Sequence, residues 1–227
     1  MQNKYKKIME LLEFSNGKYN AKDIFRDFVI MFAIAIKNKF KYEQVDEDEY
    51  LRIVKRYDKK ELDIFAKLIA EMMKEKLRED KIQDILGEIF MTIDANSKRN
   101  GQFFTPINVA ELMAEVTLNK EKIQNKDVIT IQDSACGSGV MILGMANCLN
   151  KQGVDYKSRL FAECRDIDFL CFGMAYVQLS LSGIPGRVIL GDTLQDEKRK
   201  IFYTPQYYIG NWYEKIEERG KIKDGRK

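Results

Sequence analysis

Histidine is absent from all 227 residues. That removes the commonest general base and excludes Ser-His and Cys-His catalytic arrangements. The four cysteines, at 136, 148, 164 and 171, form no Cys-x-x-Cys pair. Without histidine, the usual zinc ligand sets are missing too, so no metal site is expected. No apolar run approaches the ~18 residues of a membrane span, and the lysine-rich start lacks the signal-peptide pattern. The expectation is a cytoplasmic protein with reduced thiols and no membrane association. Proline occurs three times, at 106, 185 and 205, and never in tandem. A Gly-Lys-Ser/Thr phosphate loop is also lacking, which points away from a nucleoside triphosphate.

What is present is an ordinary globular composition. Hydrophobic residues make up 45% and charged residues 32%, enough to bury a sizeable core in one large domain or two small ones. The 38 basic and 35 acidic residues leave a formal charge of +3. That balance neither demands a nucleic acid nor excludes one.

The first part of the chain reads as helical. Residues 4–14 place Tyr5, Ile8, Leu11 and Leu12 on one side, and Ser15-Asn16-Gly17 breaks the run. Asn20 is the expected N-cap of a helix over 21–37 that is apolar nearly all round, hence central to a bundle. A charged loop with Asp46, Glu47, Asp48 and Glu49 is expected next, leading into a helix to about Arg56. Amphipathic helices are expected over 59–79 and 81–92, the second carrying Ile82, Ile85, Leu86, Ile89 and Phe90 at helical offsets. No strand candidate precedes residue 127, so residues 1–93 are expected to form a helical domain.

A polar linker from Asp94 to Gly101 leads to Gln102-Phe103-Phe104-Thr105-Pro106. Thr105 and Pro106 read as an N-cap and first-turn pair for a helix reaching about Leu118. The β-branched run Val128 to Ile131 reads as a buried strand. Asp133-Ser134-Ala135-Cys136-Gly137-Ser138-Gly139 follows, with two glycines that allow a tight turn and close approach to a ligand. A helix begins at Val140. Further strands are expected at Leu160–Cys164 and Arg187–Leu190, separated by a helix over 168–182 that Gly183 and Pro185 stop. The β-α-β-α-β order predicts parallel strands with right-handed crossovers, in a domain spanning residues 94–212, with a charged tail over 213–227.

Asp133, Asp166 and Asp192 each close one of these strands, where ligands of an open parallel sheet bind. An acid after the second strand can accept both ribose hydroxyls. An acid after the third can accept an adenine amino group, and the first can hold an ammonium or its water. S-adenosylmethionine carries all three groups and no phosphate. Each aspartate taken alone also reads as a turn or helix cap.

Residues 101–106, Gly-Gln-Phe-Phe-Thr-Pro, followed by Asp133 to Gly139, resemble the adenine-N6 DNA methyltransferases. The likeness is closest to the modification subunit of type I restriction systems, which also places a helical domain first. The fold it implies is α/β: a helical bundle followed by a truncated Rossmann-like S-adenosylmethionine-dependent methyltransferase fold with about three parallel strands. The resemblance implies that Phe104, Thr105 and Pro106 line the methionine end of the cofactor. Asp133, Ala135, Cys136, Gly137, Ser138 and Gly139 would wrap its amino-acid moiety. Asp166 would hold the ribose with Ile167 against the adenine, and Asp192 the adenine amino group, with Thr193 and Leu194 beside it.

The chain departs from that family at the catalytic motif, Asn/Asp-Pro-Pro-Tyr/Phe, in which the motif's oxygens accept the N6 amine of a flipped-out adenine. The nearest remnant is Thr204-Pro205-Gln206-Tyr207, twelve residues after Asp192. Thr204, Pro205 and Tyr207 are therefore the weak catalytic candidates, against a reading in which the aromatic run Phe202 to Trp212 simply packs onto the sheet. With 33 residues beyond Leu194, the second half of the usual sheet is expected to be missing. The exposed edge of the first strand should then be covered by the tail, the bundle, another chain or a second copy. Three readings stay open: an adenine-N6 DNA methyltransferase, alone or completed by a partner; an inactive S-adenosylmethionine-binding partner or decoy from a mobile element; or a helical interaction module with a vestigial site.

Overall fold

The computed structural model describes residues 4–14, 18–95, 103–119, 123 and 126–216. Six helices come first: α1 (Lys6–Leu12), α2 (Ala21–Asn38), α3 (Gln44–Val54), α4 (Lys59–Lys76), α5 (Ile85–Ala95) and α6 (Ile107–Thr117). The sheet part follows as β1 (Ile129–Asp133), α7 (Val140–Lys151), α8 (Tyr156–Arg159), β2 (Leu160–Asp166), α9 (Phe169–Leu181), β3 (Gly186–Leu190), β4 (Lys200–Tyr203) and α10 (Pro205–Ile209). No described helix is long and apolar enough to cross a membrane.

Local chemistry explains several helix starts. Asn20 Oδ1 accepts the Asp23 N–H at 2.8 Å and opens α2. Asp58 and Glu61 form a reciprocal capping box on α4. Asp168 caps α9 by accepting from the Leu170 and Cys171 amides.

Several expected boundaries move. The acidic stretch Asp46 to Glu49 lies inside α3 rather than in a loop, because Asp46 is drawn inward by the Lys37 and Lys200 ammonium groups. The helix expected from residue 81 begins at Ile85, since Asp84 turns its carboxylate onto the Gly87 N–H and caps the helix there. Pro106, not Thr105, is the N-cap of α6, in an extended conformation and with no side-chain cap bond. Pro106 has ψ of 143°, outside the helical region, so the first helical residue is Ile107 and the start moves by one. The expected boundary between residues 93 and 94 lies within α5; 96–102 and most of the expected tail fall outside the described residues.

The sheet has the order β1-β2-β3-β4. The first three strands are parallel as expected, and β4 returns antiparallel beside β3. Against one face lies α9, with Phe172 and Tyr176 meeting Phe202 of β4 at 4.9 and 5.1 Å between ring centroids. Helix α2 packs on the other side of α9, and a single buried cluster runs from the helices into the sheet. The second sheet face is polar in the middle. Gln132, Glu163, Arg187 and Tyr203 stand in register across all four strands, with a Gln132–Glu163 hydrogen bond and a Glu163–Arg187 ion pair. Its amino end is covered by the aromatic tail, where Trp212 is buried against Phe161 and Val128. β1 lies at the edge of the sheet, with no strand paired on its outer side among the described residues.

Candidate cofactor site

Two strand ends and one turn build the centre of the site. Gly137 and Gly139 adopt φ of +53° and +89°, values that residues with a Cβ rarely tolerate. The turn is held from below by Cys136 N–H to the Arg165 carbonyl at 2.9 Å. It is held from the side by Gly137 N–H to Asp166 Oδ2 at 2.8 Å. Asp133 bends back on the Ala135 N–H at 3.2 Å. Burial raises the Asp133 carboxyl above the usual carboxylate range, and the charge of Asp166 adds to that rise. The Cys136 thiol is raised by its contact with Cys164 and by burial, so it is packed as a thiol and is not an activated nucleophile.

The loop after β3 comes to the same place. Asp192 Oδ1 accepts the Leu194 N–H at 2.8 Å, and Thr193 Oγ1 donates to the Ser134 carbonyl at 2.6 Å, joining this loop to the first turn. Arg165, almost fully buried, reaches Asp196 at 2.9 Å from beneath. Ile167 and Leu194 are exposed, at 60% and 96%, so the faces expected to meet an adenine are open to a ligand.

Phe104 reaches the turn from α6's leading segment. A Cβ added to Gly137 would stand 3.1 Å from its ring, and on its other side the ring meets Phe90 at 5.1 Å. Phe104, Thr105 and Pro106 line a cleft of about 520 Å³ shared with Glu88 of α5 and Tyr5. A larger cleft of about 620 Å³ opens between α2, α3 and the start of α9, and none of the expected cofactor residues lines it. Among the described residues no cluster of three or more His, Cys, Asp or Glu is placed to hold a metal ion.

Sequence reading missed the residue that ties this turn to the helices. Asp84, just before α5, is buried and accepts from Ser138 Oγ at 2.9 Å and from Gln178 Nε2 at 2.7 Å. An acid at the front of an amphipathic run reads as solvent-facing; a glycine three residues on, at 87, is the one local hint of a cap.

Thr204, Pro205 and Tyr207 are not brought to these strand ends. Because β4 runs antiparallel to β3, its carboxyl end lies beside the amino end of the parallel strands. Thr204 is fully buried there, its Oγ1 donating to the Ile184 carbonyl at 2.8 Å and accepting from the Gly186 N–H at 3.0 Å. Tyr207 packs on Tyr203 at 4.4 Å and on Phe161 at 6.2 Å.

A parallel β-α-β-α-β unit with a glycine turn after its first strand and acids closing the first two defines a Rossmann-like α/β protein. Residues 78–224 match the sequence model of the N-6 DNA Methylase family. The chain belongs to that family. Among solved structures, it is similar to a putative class I S-adenosylmethionine-dependent methyltransferase from Listeria monocytogenes. The identity is 15% and the TM-score 0.46, over 85% of this chain and 54% of that one. It is also similar to the type I restriction-modification system methyltransferase subunit from Streptococcus thermophilus, at 17% identity and a TM-score of 0.40, over 87% and 53%. A third likeness is to the DrdV protein in its DNA complex, at 15% identity and 0.38, over 80% and 20%. The chain thus spans about half the length of the first two. No curated protein matches its sequence.

Proposed function

We propose that this protein binds S-adenosylmethionine at the carboxyl ends of β1, β2 and β3, and serves methyl transfer to adenine N6 in DNA when a partner or a degenerate site completes it. The observation that carries the reading is the convergence of Asp133, the Gly137–Gly139 turn, Asp166 and the Asp192 loop, joined by the Gly137–Asp166 and Thr193–Ser134 hydrogen bonds. The donor set fits the group. Asp133 is a half-buried acid beside a second acid, which favours a ligand carrying positive charge. Asp166 still has acceptor capacity for two ribose hydroxyls after taking its two backbone donors. Ile167 offers an exposed apolar face to the adenine, and Asp192 an acceptor for its amino group. Phe104, Thr105 and Pro106 close the methionine end, and Ala135, Cys136 and Ser138 supply the turn's backbone. Bound S-adenosylmethionine would supply an activated methyl group on a sulfonium.

The same reading keeps the helices up to the end of α5 and the sheet part that follows as two parts of one working unit, the boundary moved past α5 (Ile85–Ala95), with DNA and a second chain at the β1 edge as the partners. Four free, buried cysteines suit a reducing cytoplasm.

A second reading has a specific observation behind it. Thr204 and Tyr207 are occupied structurally at the opposite end of the sheet from the acids, which favours an S-adenosylmethionine-binding partner or decoy that does not itself transfer the methyl group. Calorimetry with S-adenosylmethionine tests the shared part: binding in the micromolar range supports it, and absence of heat with an intact fold returns the site to a vestige. Labelled methyl incorporation into unmethylated DNA, with and without the neighbouring reading frame's product, separates the two. Transfer supports the enzyme; binding without transfer under every partner condition supports the decoy.

A further inference from the structure

We propose that Asp84 is a positioning residue for the glycine turn, so that docking of the α5 segment and binding at the strand ends are one coupled event. The proposal rests on the cofactor reading above and adds a residue from the helical part that the reading does not use. Asp84 is 3% exposed and makes three directed contacts. Its Oδ2 accepts from Ser138 Oγ at 2.9 Å; its Oδ1 accepts from Gln178 Nε2 at 2.7 Å and from the Gly87 N–H at 3.1 Å. The Gln178 amide completes the frame, donating also to the Ser138 carbonyl at 2.8 Å and accepting from the Leu86 N–H at 3.1 Å. Both polar groups of the Ser138 side chain and carbonyl are thereby held by one carboxylate–amide pair.

Ser138 is the residue between the two glycines with positive φ. Glycines populate many conformations about equally, so a turn built on two of them depends on its anchors. Asp166 holds Gly137, and the anchor of the residue between the glycines comes from 54 positions earlier in the chain. The segment that carries it is itself clamped: the Asn147 amide of α7 accepts from the Ile82 N–H at 2.9 Å and donates to the Ile82 carbonyl at 2.8 Å, as a neighbouring strand would. Gly87 has no room for a Cβ because the Asp84 carboxylate lies over it. Burial raises the Asp84 carboxyl, and the three donors oppose that rise. A buried acid is costly unless its partners are complete, and here completion requires both halves of the molecule to be assembled.

The conservative variant separates positioning from bulk packing. In Asp84→Asn the amide oxygen keeps the Gln178 and Gly87 donors, and the amide nitrogen can donate to Ser138 Oγ, since a hydroxyl also accepts. Asp84→Ala loses all three contacts. The S-adenosylmethionine dissociation constant, measured by calorimetry well below each variant's unfolding temperature, is expected to rise about tenfold or more in Asp84→Ala and to stay within about threefold in Asp84→Asn. Amide hydrogen exchange at residues 137–140 should quicken in Asp84→Ala and not in Asp84→Asn, with Val188 and Phe202 unchanged. Parental affinity and parental exchange at 137–140 in Asp84→Ala would overturn the proposal and leave Asp84 as a helix cap. Should Asp84→Ala not fold, Ser138→Ala removes one contact from the other side and is read by the same two measurements. If the parent binds no S-adenosylmethionine the cofactor reading fails, while exchange at 137–140 still decides whether Asp84 sets the turn.

Discussion

The backbone N–H of Gly137 donates to Asp166 Oδ2 at 2.8 Å, while Oδ1 of the same carboxylate accepts the Asp168 N–H at 2.9 Å. One side chain thus fixes the first glycine of the β1 turn and the exit from β2 together. Asp166→Ala removes both anchors along with the acceptors assigned to the ribose. The expected result is a fall in S-adenosylmethionine affinity of about tenfold to a hundredfold, the range set by stranding one or two hydrogen-bonding groups. Asp166→Asn keeps one acceptor oxygen and should fall between parent and alanine. Calorimetry on the three proteins checks the order; an alanine variant that binds like the parent removes Asp166 from the site.

Asp133 gives a pH dependence with a definite sign. Its carboxyl is raised above 3.8 by burial, with Asp166 adding to the rise. A raised acid binds its proton more tightly in the folded state, so its contribution to stability is full below the unfolded value and is lost as pH rises through the folded one. A cationic ligand reverses the preference at the site, because it favours the ionised carboxylate. S-adenosylmethionine should therefore bind more tightly as pH rises through the upper carboxylate range, with release of protons on binding. Titration calorimetry in buffers of different ionisation heat measures that release. Asp133→Asn should flatten the Asp133 part of the profile, and an unchanged profile would place the cation elsewhere. Asp84, raised as well, is present in both proteins and cancels in the comparison.

The parts legible in the sequence were those fixed by local chemistry. The β-branched run Val128–Ile131, the short apolar stretches at Leu160–Cys164 and Arg187–Leu190 and the acids that follow each announced β1 to β3, and helical spacing announced α4. What escaped was fixed by contacts distant in the chain. Asp84 reads as a surface acid until its partners 54 and 94 positions away are known. The strand Lys200–Tyr203 is four residues long and carries no signal of direction; its antiparallel place is set beside Val188, and its Lys200 meets Asp46, 154 positions earlier. The apparent loop at Asp46 to Glu49 became helix for the same reason, since one of its acids has a buried cation to meet.

Thr204 offers a test that separates structure from catalysis. Its hydroxyl serves two backbone groups, the Ile184 carbonyl and the Gly186 N–H, at a fully buried position. Thr204→Val strands both and should cost about 1–3 kcal/mol in urea unfolding. The affinity for S-adenosylmethionine should not change, because the residue lies at the amino end of the parallel strands. A variant with parental stability and lost methyl transfer would instead return Thr204 to the list of catalytic groups.

Asp46 supports the last prediction. It is fully buried, and it accepts from Lys37, which is 3% exposed, and from Lys200 of β4. The two ammonium groups lie 5.4 and 5.5 Å from the Phe202 ring, so Asp46 both neutralises them and joins α2 and α3 to the edge strand. Removing it leaves two cations near one ring, with Lys37 retaining the partly exposed Glu43 at 3.0 Å. Breaking a buried pair from one side typically costs about 3–5 kcal/mol, and Asp46→Ala should lose that much in denaturant unfolding. Replacing Asp46, Lys37 and Lys200 together by Leu, Met and Met should recover most of the loss, since the desolvation of all three charges disappears with them. If Asp46→Ala is near neutral, the cluster is solvated and β4 is held to the helices by Phe202 packing alone. Limited proteolysis between Asp192 and Lys200 reads the same point independently: it should speed up in Asp46→Ala and return to the parental rate in the triple variant.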